Sequence, residues 1–99
     1  MGVQTLAAAV LARALADADG RPFTGTQFVG PKRTAVLVVD RDVENAIEFL
    51  CTESPDLVFW CTVAELPVQA VLGRAQRELR GKRAAIALAR RKFAQALEA

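Results

Sequence analysis

A chain of 99 residues, 53% hydrophobic and 24% charged, has the make-up of one folded domain and is too short for two full ones. That excludes a disordered tail, a collagen-like repeat and a disulfide-stapled miniprotein, and the absence of His excludes imidazole catalysis and any zinc site that needs it. The net charge of +2 hides an asymmetry: residues 1–66 carry five Lys/Arg against nine Asp/Glu, whereas residues 67–99 carry eight against two.

Val3, Leu6, Ala7, Val10, Leu11, Ala14, Leu15 and Ala18 recur at three- and four-residue spacing, which predicts a helix over Val3–Asp19 with one apolar face. Gly20 is expected to stop it in a left-handed conformation, with Pro22 following. No positive region precedes this stretch and Arg13 interrupts it, so neither a signal peptide nor a membrane anchor is expected. Phe23–Val29 reads as a strand that turns at Gly30-Pro31 into a second strand, Thr34–Val39, to make a hairpin. The β-branched run TAVLVV suits a strand covered on both faces.

Asp42 is expected to cap a helix from Val43 to about Glu53, burying Val43, Ala46, Ile47, Leu50 and Cys51 and turning Glu44 and Glu48 to water. Ser54-Pro55-Asp56 reads as a turn, and Leu57–Val63 (LVFWCTV) as a third strand. Strand, helix and strand would form a βαβ unit with parallel strands. A helix then runs from about Pro67 to Arg80 and, after Gly81, another from about Lys82 to Leu97, with Ile86, Ala89, Phe93 and Leu97 inward. The expected fold is α/β, with α+β as the variant. It is a small three-layer sandwich in the order α-β-β-α-β-α-α, with a mixed sheet and a C-terminal helical hairpin, and residues 1–99 make a single compact domain.

Few groupings suggest catalysis. Gly25 to Thr34 has a glycine-rich look, but Pro31 intervenes before Lys32 and a strand follows where a phosphate loop needs a helix. On a βαβ unit, Asp40, Asp42, Cys61, Thr62 and Glu65 would gather at one carboxyl edge, where three carboxylates could hold magnesium; helix capping is the simpler reading. Cys51 and Cys61, inside apolar runs, read as buried thiols suited to a reducing cytoplasm. Trp60 reads as core, with an interface as its alternative place. No catalytic residue, metal or cofactor is expected, and the chain reads as non-enzymatic.

Residues 36–42 (VLVVDRD) and 55–60 (PDLVFW) resemble pieces of a phosphoacceptor receiver domain, with Cys61 standing at the acceptor aspartate's place. Residues 33–51 with the following elements also resemble an L7Ae-type RNA-binding sandwich, without that family's Asn-Glu…Lys motif before the strand. Both resemblances amount to shared βαβ patterning.

The functional signal is the basic C-terminal third. Arg74, Arg77 and Arg80 recur every three residues on an outer helix face, Lys82 and Arg83 occupy the junction, and Arg90, Arg91 and Lys92 lie off the apolar stripe. Opposed within that span only by Glu78, these cations could track phosphates without reading bases, since no aromatic platform lies among them. The expectation is a small cytoplasmic regulatory protein that contacts nucleic acid through these residues. The alternative is a protein–protein interaction module, an adaptor, inhibitor or self-associating subunit docking on an acidic partner surface.

Overall fold

The computed structural model describes residues 2–98. Seven elements follow one another: α1 (Val3–Ala18), β1 (Phe23–Val29), β2 (Thr34–Val39), α2 (Arg41–Cys51), α3 (Pro55–Val63), α4 (Val68–Glu78) and α5 (Arg80–Glu98). The class is mixed α+β, with five helices and one two-stranded antiparallel sheet. The elements sit where the sequence places them, but the fifth is a helix where a strand is expected. The βαβ unit, the mixed sheet and the three-layer sandwich therefore do not form.

Local chemistry explains the helix at Pro55–Val63. Ser54, in an extended conformation, caps it by accepting from the Leu57 N–H at 3.2 Å, Pro55 fills the first turn and Asp56 adds favourable charge there. Buried Leu57, Cys61 and Ala64 recur at helical spacing, while Val58 and Phe59 are exposed. The β-branched and aromatic content of LVFWCTV is a weaker influence than this cap and this stripe. Ser54→Ala is expected to lower stability by about 1 kcal/mol, read as a shift in urea midpoint. An unchanged midpoint would contradict the cap.

Two further ends differ from the sequence reading. Asp40, not Asp42, caps α2, accepting from the N–H groups of Asp42 and Val43 at 3.0 and 3.3 Å. Gly20 does not adopt a left-handed conformation; among the described glycines only Gly30 has positive φ. The last carbonyls of α1 are instead met by Lys82, whose Nζ donates to Ala18 O and Gly20 O at 2.8 and 2.9 Å. A cation at a helix C-terminus is favoured by the dipole as well as by these bonds.

The hairpin pairs Val29 with Thr34 beside the turn and Phe23 with Val39 at its open end, with a bulge between Phe23 and Gly25. α5 follows α4 through the single residue Leu79, at φ −101° and ψ 5°, so the two helices form a bent run rather than the expected helical hairpin. The molecule is a rod of 55 × 23 × 20 Å. Its Cα radius of gyration is 16.4 Å, well above the ~13 Å of a compact domain this long.

Three apolar clusters hold it. Leu57, Cys61 and Ala64 pack with Ala7 and Leu11 of α1 and Leu72 of α4. Ile47, Leu50 and Cys51 of α2 pack with Ala18, Ala75, Leu79 and Ile86. Val29, Val36 and Ala96 join the hairpin to the far half of α5. Helices α1–α4 form a body, and the hairpin with α5 forms an arm. Among the described residues no single helix is long and apolar enough to cross a membrane; α3 and α4 meet that test only as a pair bent by 117°.

Candidate cationic interface

Tertiary packing divides the eight expected cations into two groups. Arg74 donates to Glu78 one turn on at 2.9 Å, which raises its pKa through that hydrogen bond and the carboxylate charge. Lys82 is committed to the end of α1. Arg83 lies 3.8 Å from Glu48, and Arg90 forms an ion pair with Glu44, whose side chain is only 20% exposed. Glu44 is thus turned toward α5, because the apolar stripe of α2 seats that helix beside it, whereas Glu48 stays exposed to water as expected, with Arg83 within reach. Ion pairs this exposed add little to stability, because solvent screens them. Their larger consequence is to take Arg74, Arg83 and Arg90 out of the unpaired charge.

Arg77, Arg80, Arg91 and Lys92 are exposed and make no ion pair or side-chain hydrogen bond among the described residues. Arg80 and Arg91 are eleven residues apart, three helical turns, so they lie on one line of α5 about 16 Å apart. Exposed Ala84 and Ala87 lie between them. Arg77 stands just across the bend at Leu79.

Two cations outside the sequence-based set join this group. Lys32 and Arg33 occupy the hairpin turn, closed by the Arg33 N–H to Gly30 O bond at 3.1 Å. Gly30 backs directly onto the Ala96 carbonyl, bringing the turn to the far end of α5. Arg33 also lies 5.6 Å over the exposed Phe28 ring, a cation–π contact. The Gly30-Pro31 turn was legible in the sequence, but its contact with α5 was not. The hairpin and residues 87–98 of α5 thus hold Lys32, Arg33, Arg91 and Lys92 beside Arg90, which pairs with Glu44; Glu98 is the one acid in these two stretches.

No protein-family model, curated protein or solved structure matches this chain.

The expected carboxyl edge does not assemble. Asp40 is spent on its cap, and Glu65 lies beyond α3 accepting from Gln4 at 3.2 Å. Among the described residues no group of three His, Cys, Asp or Glu is placed to hold a metal. Cys51 and Cys61 are buried, as their apolar runs imply. Burial pushes both thiols up, and at Cys51 the nearby Arg83 charge offsets part of that rise. Both stay protonated at neutral pH and are poor nucleophiles. Trp60 is partly buried against the α1–α3–α4 cluster, its ring 5.1 Å from that of Phe59 in an edge-on contact.

The stripe expected to run inward along α5 is covered only at its start. Ile86 and Ala89 are buried, whereas Phe93 is 40% and Leu97 56% exposed. A two-stranded sheet is too narrow to cover both flanks of a 19-residue helix.

Proposed function

We propose that this chain is a small non-enzymatic cytoplasmic protein that contacts nucleic-acid backbones through Arg77, Arg80, Arg91 and Lys92, with Lys32 and Arg33 extending the row. The observation that carries the reading is the unpaired charge left on the arm after the acids of α2 have taken their partners. Phosphate recognition needs positive charge held on a rigid surface, and a helix supplies that without reading bases. The small side chains of Ala84 and Ala87 leave the helix backbone free to approach a duplex between Arg80 and Arg91. Between Arg80 and Arg91 the helix carries no aromatic side chain for bases to stack on, which favours contact with paired strands over unpaired ones.

Titration of labelled 20-base-pair DNA and RNA duplexes at two salt concentrations tests this. Four phosphate contacts predict a log–log salt slope of about −3.6, or roughly a hundredfold loss of affinity between 50 and 200 mM salt. The double variant Arg80→Ala/Arg91→Ala is expected to flatten the slope by about two units. Arg13→Ala, a body arginine already paired with Asp17, removes one charge elsewhere and is expected to leave the slope unchanged. Absence of binding to either duplex at 50 mM salt removes the reading.

Docking on an acidic protein surface is the second reading. It is favoured by Phe28, Leu37, Leu88, Phe93 and Leu97, which leave the arm more apolar than a pure phosphate-binding surface requires.

A further inference from the structure

Helices α2 and α5 face each other across a cleft of about 760 Å³ whose two walls carry opposite charge. Glu44 and Glu48, one turn apart, line the α2 side, and Arg80, Arg83, Ala87 and Arg90 line the α5 side. At 3.6 residues per turn, Arg90, Arg83, Arg80 and Arg91 all fall within about 100° of the α5 circumference. The cleft is therefore the flank of the phosphate row rather than a separate surface. Arg83 and Arg90 would widen that row if nothing else held them.

Two acids hold them instead. Glu44 pairs with Arg90, and Glu48 lies 3.8 Å from Arg83. A guanidinium meets a carboxylate and a phosphate with the same donors, so each pairing takes up the groups that a nucleic-acid backbone would need. A carboxylate fixed on the neighbouring helix also reaches its arginine without the entropy cost of association. Any phosphate entering the cleft would in addition meet two negative charges. Packing of the two helices rests on buried Ile47, Leu50 and Ile86, not on these charges.

We propose that Glu44 and Glu48 restrain the nucleic-acid site, an inference that rests on the outer row being a phosphate surface. The two acids occupy Arg90 and Arg83 in place of phosphates and close the α2–α5 cleft to the backbone. Binding is then weaker than the arginine content of α5 allows, and the acids of α2 set its strength.

Salt titrations of the full chain with the 20-base-pair duplexes test this. Glu44→Gln/Glu48→Gln is expected to steepen the log–log slope by about two units, so that the loss between 50 and 200 mM salt grows from roughly a hundredfold to roughly a thousandfold. Glu48→Gln alone, at an exposed position, is expected to give about half of that change. Arg83→Ala/Arg90→Ala is expected to leave the slope of the native chain as it is, yet to abolish the gain when added to Glu44→Gln/Glu48→Gln. Glu53→Gln/Glu65→Gln makes the same charge change at two body acids that accept from glutamines, and is expected to leave the slope alone. Helical circular dichroism is expected to be unchanged throughout. A slope that Glu44→Gln/Glu48→Gln does not alter overturns the restraint and leaves the outer row standing. So does an equal steepening in the body variant, or a flattening by two units when Arg83→Ala/Arg90→Ala is made in the native chain. Binding by Glu44→Gln/Glu48→Gln with none by the native chain supports the restraint and refutes the open row. Absence of binding by either overturns both.

Discussion

Replacing Leu57 by Ala is expected to destabilise the protein by about 2–5 kcal/mol, the range for large-to-small changes in a close-packed core. Leu57 is fully buried where α1, α3 and α4 meet, among Ala7, Leu11, Cys61 and Leu72. Three of the five residues around it in that cluster are Ala or Cys, too small to move into the space a lost isobutyl group leaves. Phe59→Ala is the informative partner. Phe59 is 56% exposed, so its truncation is expected to cost less than about 1 kcal/mol despite removing a larger side chain. On a strand, Leu57 and Phe59 would share one face and both changes would be severe. Urea denaturation of the two variants therefore tests the helix at Pro55–Val63 directly. Equal losses would refute it.

Gly30→Val is expected to cost roughly 2–5 kcal/mol, and to cost it locally. Gly30 has φ of 79°, a region that β-branched residues avoid, and any Cβ there would run into the Ala96 carbonyl. The hairpin can escape only by lifting away from α5, breaking the Val29–Val36–Ala96 cluster, which shares no buried residue with the two body clusters. Amide exchange is expected to quicken across β1, β2 and the last turns of α5 while α1–α4 keep their protection. Uniform quickening throughout would show that arm and body unfold as one unit. The same variant should weaken duplex binding modestly, because Lys32 and Arg33 lose their place at the end of the cationic row.

Arg80 and Arg91 need only project from a straight helix, so Gly30→Val is expected to leave both able to bind.

Much of the local structure could be read from side-chain spacing. The buried stripe of α2 (Val43, Ala46, Ile47, Leu50 and Cys51) is the one its periodicity predicts. The hairpin follows from two β-prone runs around Gly30-Pro31, and the buried thiols follow from their apolar neighbours. The misreading at Leu57–Val63 has a physical cause. Seven residues without a polar face look alike whether they are a covered strand or a buried helix, and only the Ser54 cap and the Leu57–Cys61–Ala64 spacing separate the two. The sequence also foretold a cationic C-terminal third, because charge is a count. It could not foretell which cations would remain unpaired. Glu44 and Glu48 reach Arg90 and Arg83 only because α2 packs alongside α5. Lys82 reaches Ala18 and Gly20 across more than sixty residues of chain.

Periodicity, caps and turn residues act over a few positions, so the sequence alone determined six of the seven elements and the opposite charge of the first two thirds and the last third of the chain. Which charges cancel, where Gly30 meets Ala96, and how far the inner stripe of α5 is left uncovered depend on residues far apart in sequence. Those were decided only when the helices packed.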